Sequence, residues 1–237
     1  MLVTFDMYSA LVDIEAGLVP AVGVACRGVD ATGFVRAWRA KQLEYAQLSN
    51  SLQRERIPFR VITRRSLDFV LARMKVALPE PARESLVAAW DRLPPWPEAD
   101  AALNALAERG HTLAILSNGD ESMLRALARG FTARFEHVFA SDHAGHYKPH
   151  PSIYALPTGR LGIAPPEIVH VAGSGNDVLG AKLAGLKCAW SNRHGDPMLD
   201  PDVRADWEMK DLRGLGEVIE TRDCPGFRLR GIPGQSP

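Results

Sequence analysis

Short apolar runs alternate with amphipathic stretches along most of the chain. The apolar runs are continuous, a pattern typical of strands that are buried on both faces of a sheet. Helical patterns lie between them over residues 101–109, 121–129 and 178–186. Such alternation predicts an α/β fold in which helices cover both faces of a parallel sheet. The predicted strands cover residues 2–5, 112–116, 138–140, 168–172 and 187–190.

Residues 13–96 break this alternation. The sequence there has no pattern of a buried strand, and its clearest element is an amphipathic helix over about residues 32–48. A Pro-Pro-Trp-Pro run at 94–97 ends the segment. We interpret 13–96 as a helical cap that is inserted after the first strand. Residues 1–12 and 97–225 then form the α/β core, and 226–237, rich in Gly and Pro, form a loose tail.

Composition and charge exclude several classes of protein. The 237 residues can bury a substantial core, and 28 basic residues balance 28 acidic ones, unlike the basic excess of a nucleic-acid binder. The sequence has neither a signal-peptide pattern nor an apolar run of membrane-helix length. Its three cysteines lack zinc-site spacing, which favours free thiols in a reducing compartment. We therefore expect a cytoplasmic protein that binds neither nucleic acid nor a membrane.

Polar residues follow the predicted strands at the points where strands of a parallel sheet meet their ligands. Asp6 follows the first strand, and Ser117 follows the second. Lys148 comes after the third strand, and Asp177 comes after the fourth. Any one of these residues alone would be read as a helix cap, a turn residue or an exposed side chain. The four in this order on one sheet edge predict a functional site.

The segments around these residues resemble the four sequence motifs of the haloacid dehalogenase superfamily. Within this superfamily, three segments are similar to the corresponding segments of the L-2-haloacid dehalogenases. They are Trp-Arg-Ala-Lys-Gln-Leu-Glu-Tyr at 38–45, which lies in the cap, and residues 180–182 and 189–193. The resemblance spans nearly the whole chain except the tail. It implies a Rossmann-like core with a parallel sheet and a helical cap after strand one. The four motifs are Phe5-Asp6-x-Tyr8, Leu116-Ser117-Asn118-Gly119, Tyr147-Lys148-Pro149 and Asn176-Asp177.

Two positions separate this chain from the phosphatases of the superfamily. Those enzymes place an acidic residue where Tyr8 stands, and it protonates a strongly basic leaving alkoxide. A phenol with a pKa of about 10 is a poor substitute, whereas a departing halide needs no acid. The phosphatases also hold magnesium with an acidic residue where Gly173 stands. Asp6 and Asp177 alone are a poor ligand set for a hard cation, so we expect no metal and no cofactor.

The resemblance implies a reaction in two steps on a small 2-halo carboxylate. Asp6 attacks C2 and expels the halide, which leaves an ester on the enzyme. Water then attacks the carbonyl carbon of the ester, so that an L-2-haloacid gives a D-2-hydroxy acid. Lys148 keeps Asp6 ionised because a nearby cation favours a charged carboxylate. Asp177 is expected to orient or activate the water.

The remaining roles are also taken from the resemblance. Arg39, on the cap, is expected to receive the departing halide together with Asn118, because a guanidinium is always charged. Ser117 and neighbouring backbone amides are expected to bind the substrate carboxylate. Tyr154 supports the site. The expected substrate-binding residues are Tyr8, Leu43, Phe59, Ser117, Asn118, Ser174 and Asn176, of which Tyr8, Leu43 and Phe59 could equally be ordinary core residues.

Several positions depart from the motifs of the well-studied dehalogenases. Ala10 replaces a threonine whose hydroxyl would contact the nucleophile, and Ala172 and Ser174 replace a serine and an asparagine. Three readings therefore stay open. The first is an L-2-haloacid dehalogenase, the second is another superfamily hydrolase such as a phosphatase, and the third is a catalytically weak binder of small anions. A homodimer formed through the apolar cap is a further expectation.

Overall fold

A computed structural model describes residues 1–52 and 55–220. Within them, six strands form one sheet in which every neighbouring pair is parallel. The predicted α/β fold is confirmed. The strands are β1 Leu2–Phe5, β2 Thr112–Ser117, β3 His137–Ala140, β4 Ile168–Ala172, β5 Lys187–Ser191 and β6 Trp207–Met209, in the order β3-β2-β1-β4-β5-β6.

Helices cover both faces of the sheet. Side chains of successive residues in β1 enter two separate cores, since neighbours in a strand point to opposite faces. Val3 packs in one core with residues of α5 and α6, and Leu2 packs in the other with residues of α10. The helices are α1 Ile14–Ala25, α2 Ala31–Ser49, α3 Phe59–Arg73, α4 Glu80–Ala89, α5 Ala99–Glu108, α6 Glu121–Ala128, α7 Ser141–Ala144, α8 Pro151–Tyr154, α9 Leu156–Leu161, α10 Gly175–Leu183 and α11 Leu215–Glu220.

Strand β6 and helix α1 are among the elements that were not predicted from the sequence. Strand β6 is three residues long and exposes Glu208 at its centre, so it lacks the apolar run that marks the other strands. Helix α1 is apolar along most of its length and contains Pro20, which hides the helical period. Asp13 begins this helix, because its carboxylate accepts a hydrogen bond of 2.9 Å from the backbone N–H of Ala16.

Helices α1 to α4 lie between β1 and α5, where the sequence predicted a helical cap. The two ends of this insertion are joined by backbone hydrogen bonds, from Asp13 N to Pro94 O at 2.8 Å and from Trp96 N to Leu11 O at 2.9 Å. Inside the cap, Trp38 and Trp90 pack edge to face with their ring centroids 5.4 Å apart. These contacts fix the cap beside the end of β1.

The assignment of cap and core to residues 13–96, 1–12 and 97–225 stays a prediction, and the loose tail at 226–237 lies outside the described residues. Among the helices that the structure describes, none combines the length and the apolar character that crossing a membrane requires.

Gly17 is required where α1 meets the end of the cap. A Cβ atom there would lie 2.6 Å from Leu93 Cδ2 and 2.9 Å from Pro94 Cδ. We expect Gly17→Ala to lower the free energy of unfolding by about 1–3 kcal/mol, the usual range for overpacking a core. Urea denaturation followed by circular dichroism measures the change.

Gly23 on the same helix is the matched control. A Cβ atom there meets nothing closer than 4.0 Å. Gly23→Ala should therefore stabilise the protein by up to about 1 kcal/mol, because alanine is the better helix former. Equal effects of the two substitutions would contradict the crowding argument.

Candidate active site

The carboxylate of Asp6 stands at the carboxyl end of the central strand β1. Its backbone N–H donates to Val171 O at 3.0 Å, which extends the pairing of β1 with β4 by one residue. Asp6 Oδ1 accepts hydrogen bonds from Ser117 Oγ at 2.8 Å and from Lys148 Nζ at 3.3 Å. None of the described residues donates a hydrogen bond to Oδ2. One oxygen is thus held in place, and the other keeps its lone pairs for attack.

Lys148 joins two buried carboxylates. Its Nζ donates to Asp177 Oδ2 at 2.9 Å as well as to Asp6 Oδ1, and its side chain is 7% exposed. The loop that carries it is fixed by a hydrogen bond of 2.8 Å from the Lys148 backbone N–H to Asn118 Oδ1. Residues from three strand ends therefore meet around one ammonium group, as the sequence predicted.

Asp177 is surrounded by hydrogen-bond donors. Tyr154 Oη donates to its Oδ1 at 2.8 Å, while Lys148 Nζ and His170 Nε2 both lie 2.9 Å from its Oδ2. The other ring nitrogen of His170 lies 2.9 Å from Thr4 Oγ1. Asp177 is held rigidly, in the position that suits a counter-ion for Lys148.

His170 was missed by the sequence reasoning, although it is fully buried and contacts both Asp177 and Lys148. A signal was present in the sequence. It is a single polar residue at the centre of β4, whose other residues are all apolar. Buried polar groups need hydrogen-bond partners, so a histidine in such a strand indicates a polar network beside it.

One ammonium between two buried carboxylates pushes their pKa values apart. Burial raises the pKa of Asp6 above its ordinary 3.8, and the charge of Lys148 and the hydroxyl of Ser117 offset only part of that rise. Burial acts in the same direction on Asp177, but Lys148 and His170 together hold the pKa of Asp177 well below its ordinary value. Asp177 is the permanent anion, and Asp6 is the more basic carboxylate.

Arg39 reaches the site from the cap. Its Nη1 donates to Gln42 Oε1 at 2.6 Å, and Gln42 Nε2 donates in turn to Thr63 Oγ1 at 2.6 Å, so two cap helices orient the guanidinium. Glu44, an acidic residue on the same helix, pairs with Lys41 and not with Arg39. Arg39 lines the same cavity as Asp6, where it can meet an anion that departs from a bound substrate.

A cavity of about 90 Å³ lies between these groups. The predicted contact Ser117 is fully buried and is not part of its lining within the described chain, and neither is the predicted pair Tyr8 and Phe59. Their rings pack 5.7 Å apart, with Trp90 beside Tyr8 and with the Arg39 guanidinium 5.4 Å from the Tyr8 ring. The direct roles predicted for individual residues stay predictions. The lining residues are Asp6, Ser9, Arg39, Leu43, Gln47, Asn118, Lys148, Pro149, Ser174, Asn176 and Asp177.

Ser174 and Asn176 stand at the start of α10, where Ser174 Oγ accepts a hydrogen bond from the backbone N–H of Asp177. Ser174 thus caps the helix that carries Asp177. Both residues line the cavity, as expected for the predicted substrate contacts.

The residues do not fit the magnesium ion of the superfamily's phosphatases. A Cβ atom at Gly173 would lie 2.4 Å from Ala10 N, so no carboxylate can stand at that position. The two carboxylates that remain already share the ammonium of Lys148. Within residues 1–52 and 55–220, no three His, Cys, Asp or Glu side chains are grouped to hold a metal ion.

Lys148→Met tests the charge balance of the site. The substitution leaves two buried carboxylates without their cation, so we expect a loss of about 3–5 kcal/mol in the free energy of unfolding at pH 7. The loss should shrink at pH 5. Without Lys148 both carboxyl pKa values rise in the folded state above those of the unfolded chain, so protonation favours folding as pH falls. Urea denaturation at the two pH values measures this.

Lys41→Met is the control, because Lys41 and Glu44 form an exposed pair that should contribute less than about 1 kcal/mol. A loss in Lys148→Met that is the same at both pH values would refute the charge argument.

Comparison with known proteins agrees with this geometry. Residues 1–185 match the family model of the haloacid dehalogenase-like hydrolases. The haloacetate dehalogenase H-2 of Moraxella sp. strain B is 37% identical over 201 residues, which are 81% of this chain and 86% of that protein. The (S)-2-haloacid dehalogenase of Pseudomonas sp. strain YL is 32% identical over 223 residues, 92% of this chain and 94% of that protein.

A solved structure shares the fold over nearly its whole length. It is the L-2-haloacid dehalogenase of Xanthobacter autotrophicus with chloropropionic acid covalently bound. Its TM-score is 0.84 at 29% identity, and the match covers 94% of this chain and all of that chain. With its parallel sheet, its helical cap and the aspartate after strand β1, this chain belongs to the haloacid dehalogenase-like hydrolase family.

Proposed function

We propose that this protein is an (S)-2-haloacid dehalogenase, which converts L-2-haloalkanoic acids into D-2-hydroxy acids through an ester on Asp6. The observation that carries the proposal is the state of that carboxylate. One oxygen is held by Ser117 and Lys148, the other is left for attack, and the cap guanidinium of Arg39 lines the same cavity. The names of the relatives from Moraxella and Pseudomonas support the same reaction.

In the first step, Asp6 Oδ2 attacks C2 of the substrate. A bond forms from Oδ2 to C2 while the bond from C2 to the halogen breaks, and the halide leaves with the bonding electron pair. The attack inverts C2. Arg39 and the side-chain amide of Asn118 line the cavity and can stabilise the departing anion. The substrate's own carboxylate binds near Ser117 and the backbone amides that follow β1 and β2.

In the second step, water attacks the carbonyl carbon of the Asp6 ester. The bond from that carbon to the ester oxygen breaks, so C2 keeps its inverted configuration, and the hydroxy acid leaves as Asp6 regains its carboxylate. One proton is released over the cycle. Asp177 orients the water, but its low pKa makes it a weak base. We therefore expect hydrolysis of the ester to be the slower step.

Two observations argue against the phosphatase reading. Burial raises the pKa of Tyr8 well above its ordinary value, so this phenol is a poor donor for a leaving alkoxide. The close approach of Gly173 to Ala10 excludes the carboxylate that magnesium would need. The reading as a weak anion binder differs from ours in one respect, since it predicts binding without release of halide.

We infer that the protein works in a reducing, cytoplasmic setting as a homodimer. Cys26 and Cys188 are free and buried within the described chain, and the third cysteine lies outside it. Five large apolar side chains of the cap are exposed among the described residues, those of Val24, Leu48, Leu52, Phe69 and Met74. We expect light scattering to give twice the chain mass of 25.9 kDa, and a monomer mass would refute the dimer.

Asp6→Asn tests the proposed reaction. In buffer containing EDTA, the unmodified protein should release chloride from racemic 2-chloropropionate and stop near half conversion, since only one enantiomer fits. An amide is a far weaker nucleophile than a carboxylate, so the variant should lose at least about a thousandfold in rate. Ion chromatography measures the chloride.

Absence of chloride from the unmodified protein would overturn the proposal. A requirement for magnesium, or release of phosphate from phosphoesters, would favour the phosphatase reading. Stabilisation by 2-chloropropionate without product would favour the binder.

Asp177→Asn should separate the two steps. It removes the anion that orients the water, so steady-state turnover should fall by about 10²–10⁴-fold while the first step persists. The ester on Asp6 should then accumulate, and intact-protein mass spectrometry after mixing with 2-chloropropionate detects it. Tyr154→Phe is the control, because it removes one hydrogen bond from Asp177 and keeps the charge. Equal loss in both variants, with no adduct, would contradict the assigned role.

A further inference from the structure

A second and larger cavity opens beside the catalytic one. Its volume is about 460 Å³, against about 90 Å³ for the catalytic cavity. The smaller cavity is lined by the reacting groups, and the larger one has about five times its volume. The two cavities share four lining residues: Ser9, Arg39, Leu43 and Ser174. The two cavities are therefore adjacent, and the reaction proposed above does not use the larger one.

Apolar side chains form much of the wall of the larger cavity. The indole of Trp96 is fixed on two sides, since its Nε1 donates to Ser9 O at 3.1 Å and the guanidinium of Arg193 lies 4.2 Å from its ring centroid. A wall held in this way binds a ligand without first being ordered. The other apolar lining residues are Val12, Ile14, Val35, Ala40 and Leu43.

The charges around this cavity are largely matched within the protein. Arg36 pairs with Glu15 at 2.6 Å, and Arg193 pairs with Glu98 at 2.5 Å. The carboxylate of Asp13 caps helix α1. Exposed His194 and Asp196, of opposite sign when the histidine is charged, complete the rim. Apart from Arg39, which the proposed reaction uses for the halide, the arginines and the carboxylates of Asp13 and Glu15 already have partners that a charged ligand would have to displace, whereas an apolar ligand would not.

We propose that the larger cavity binds the C2 substituent of the substrate, and that the preferred substrates are 2-halo acids with an extended alkyl or arylalkyl chain. This rests on the proposed dehalogenase function. The acid and C2 lie in the catalytic cavity, and the chain passes Leu43 of the cap and Ser9 and Ser174 of the core. The bonds made and broken at C2 are those already described.

Burial of the chain gives the expected size of the effect. A methylene that is fully removed from water contributes roughly a fourfold gain in binding. A C2 chain longer by three methylenes should therefore raise kcat/KM by at least tenfold, even if burial is partial.

The test measures chloride release from a series of acids at concentrations below KM. The series is (S)-2-chloropropionate, (S)-2-chlorobutyrate, (S)-2-chlorohexanoate and (S)-2-chloro-3-phenylpropionate. With the unmodified protein, kcat/KM should rise at least tenfold from the first to the third. Ala40→Phe places a ring in the larger cavity, and Ala40 does not line the catalytic one. The factor by which kcat/KM falls in this variant should be at least ten times larger for chlorohexanoate than for chloropropionate.

Leu48→Phe is the matched control, because Leu48 lies on the same helix with 55% of its surface exposed and lines neither cavity as described. It should leave the whole series unchanged. A steady fall of kcat/KM with chain length, or an equal loss on all acids in Ala40→Phe, would overturn the proposal. Turnover of chloropropionate alone would refute only this assignment of the larger cavity. No chloride from any acid would refute the dehalogenase function as well.

Discussion

The site depends on one ammonium group that serves two buried carboxylates. Lys148 lies between Asp6 and Asp177. Because the three groups are buried away from water, the attraction of the ammonium to each carboxylate is strong. Since one positive charge cannot neutralise two negative ones, the carboxylates divide their roles. Asp177, with further donors from Tyr154 and His170, remains an anion, while Asp6 stays the more basic of the two. A permanent anion and a more basic nucleophile thus arise from identical side chains.

The fold brings these groups together from distant parts of the chain. A parallel sheet places the carboxyl ends of its strands on one edge, where a loop or a helix start can carry each reacting group. The anion-accepting guanidinium of Arg39 comes from the cap, held through Gln42 and Thr63 on neighbouring cap helices. Any movement of the cap against the sheet therefore changes the distance from the nucleophile to the cation that faces it.

Much of this could be predicted from the sequence, because buried parallel strands have continuous apolar runs and the motif residues follow them directly. Strand β6 and helix α1 could not, since one is short and half polar and the other lacks a helical period. His170 escaped because a single polar residue in an apolar strand does not reveal its partners. Within the described chain, Tyr8 packs against the Arg39 guanidinium and does not line the catalytic cavity. This arrangement depends on how the cap packs, and no local sequence pattern encodes that packing.

The contact between Gly173 and Ala10 also restricts how this chain could change over evolutionary time. With 2.4 Å between a Cβ atom at position 173 and a backbone nitrogen, no single codon change could install a carboxylate there without moving the main chain. Metal-dependent chemistry of the phosphatase type would first require the turn after β1 to be rebuilt. The absence of a side chain at position 173 thus places that chemistry more than one substitution away from this sequence.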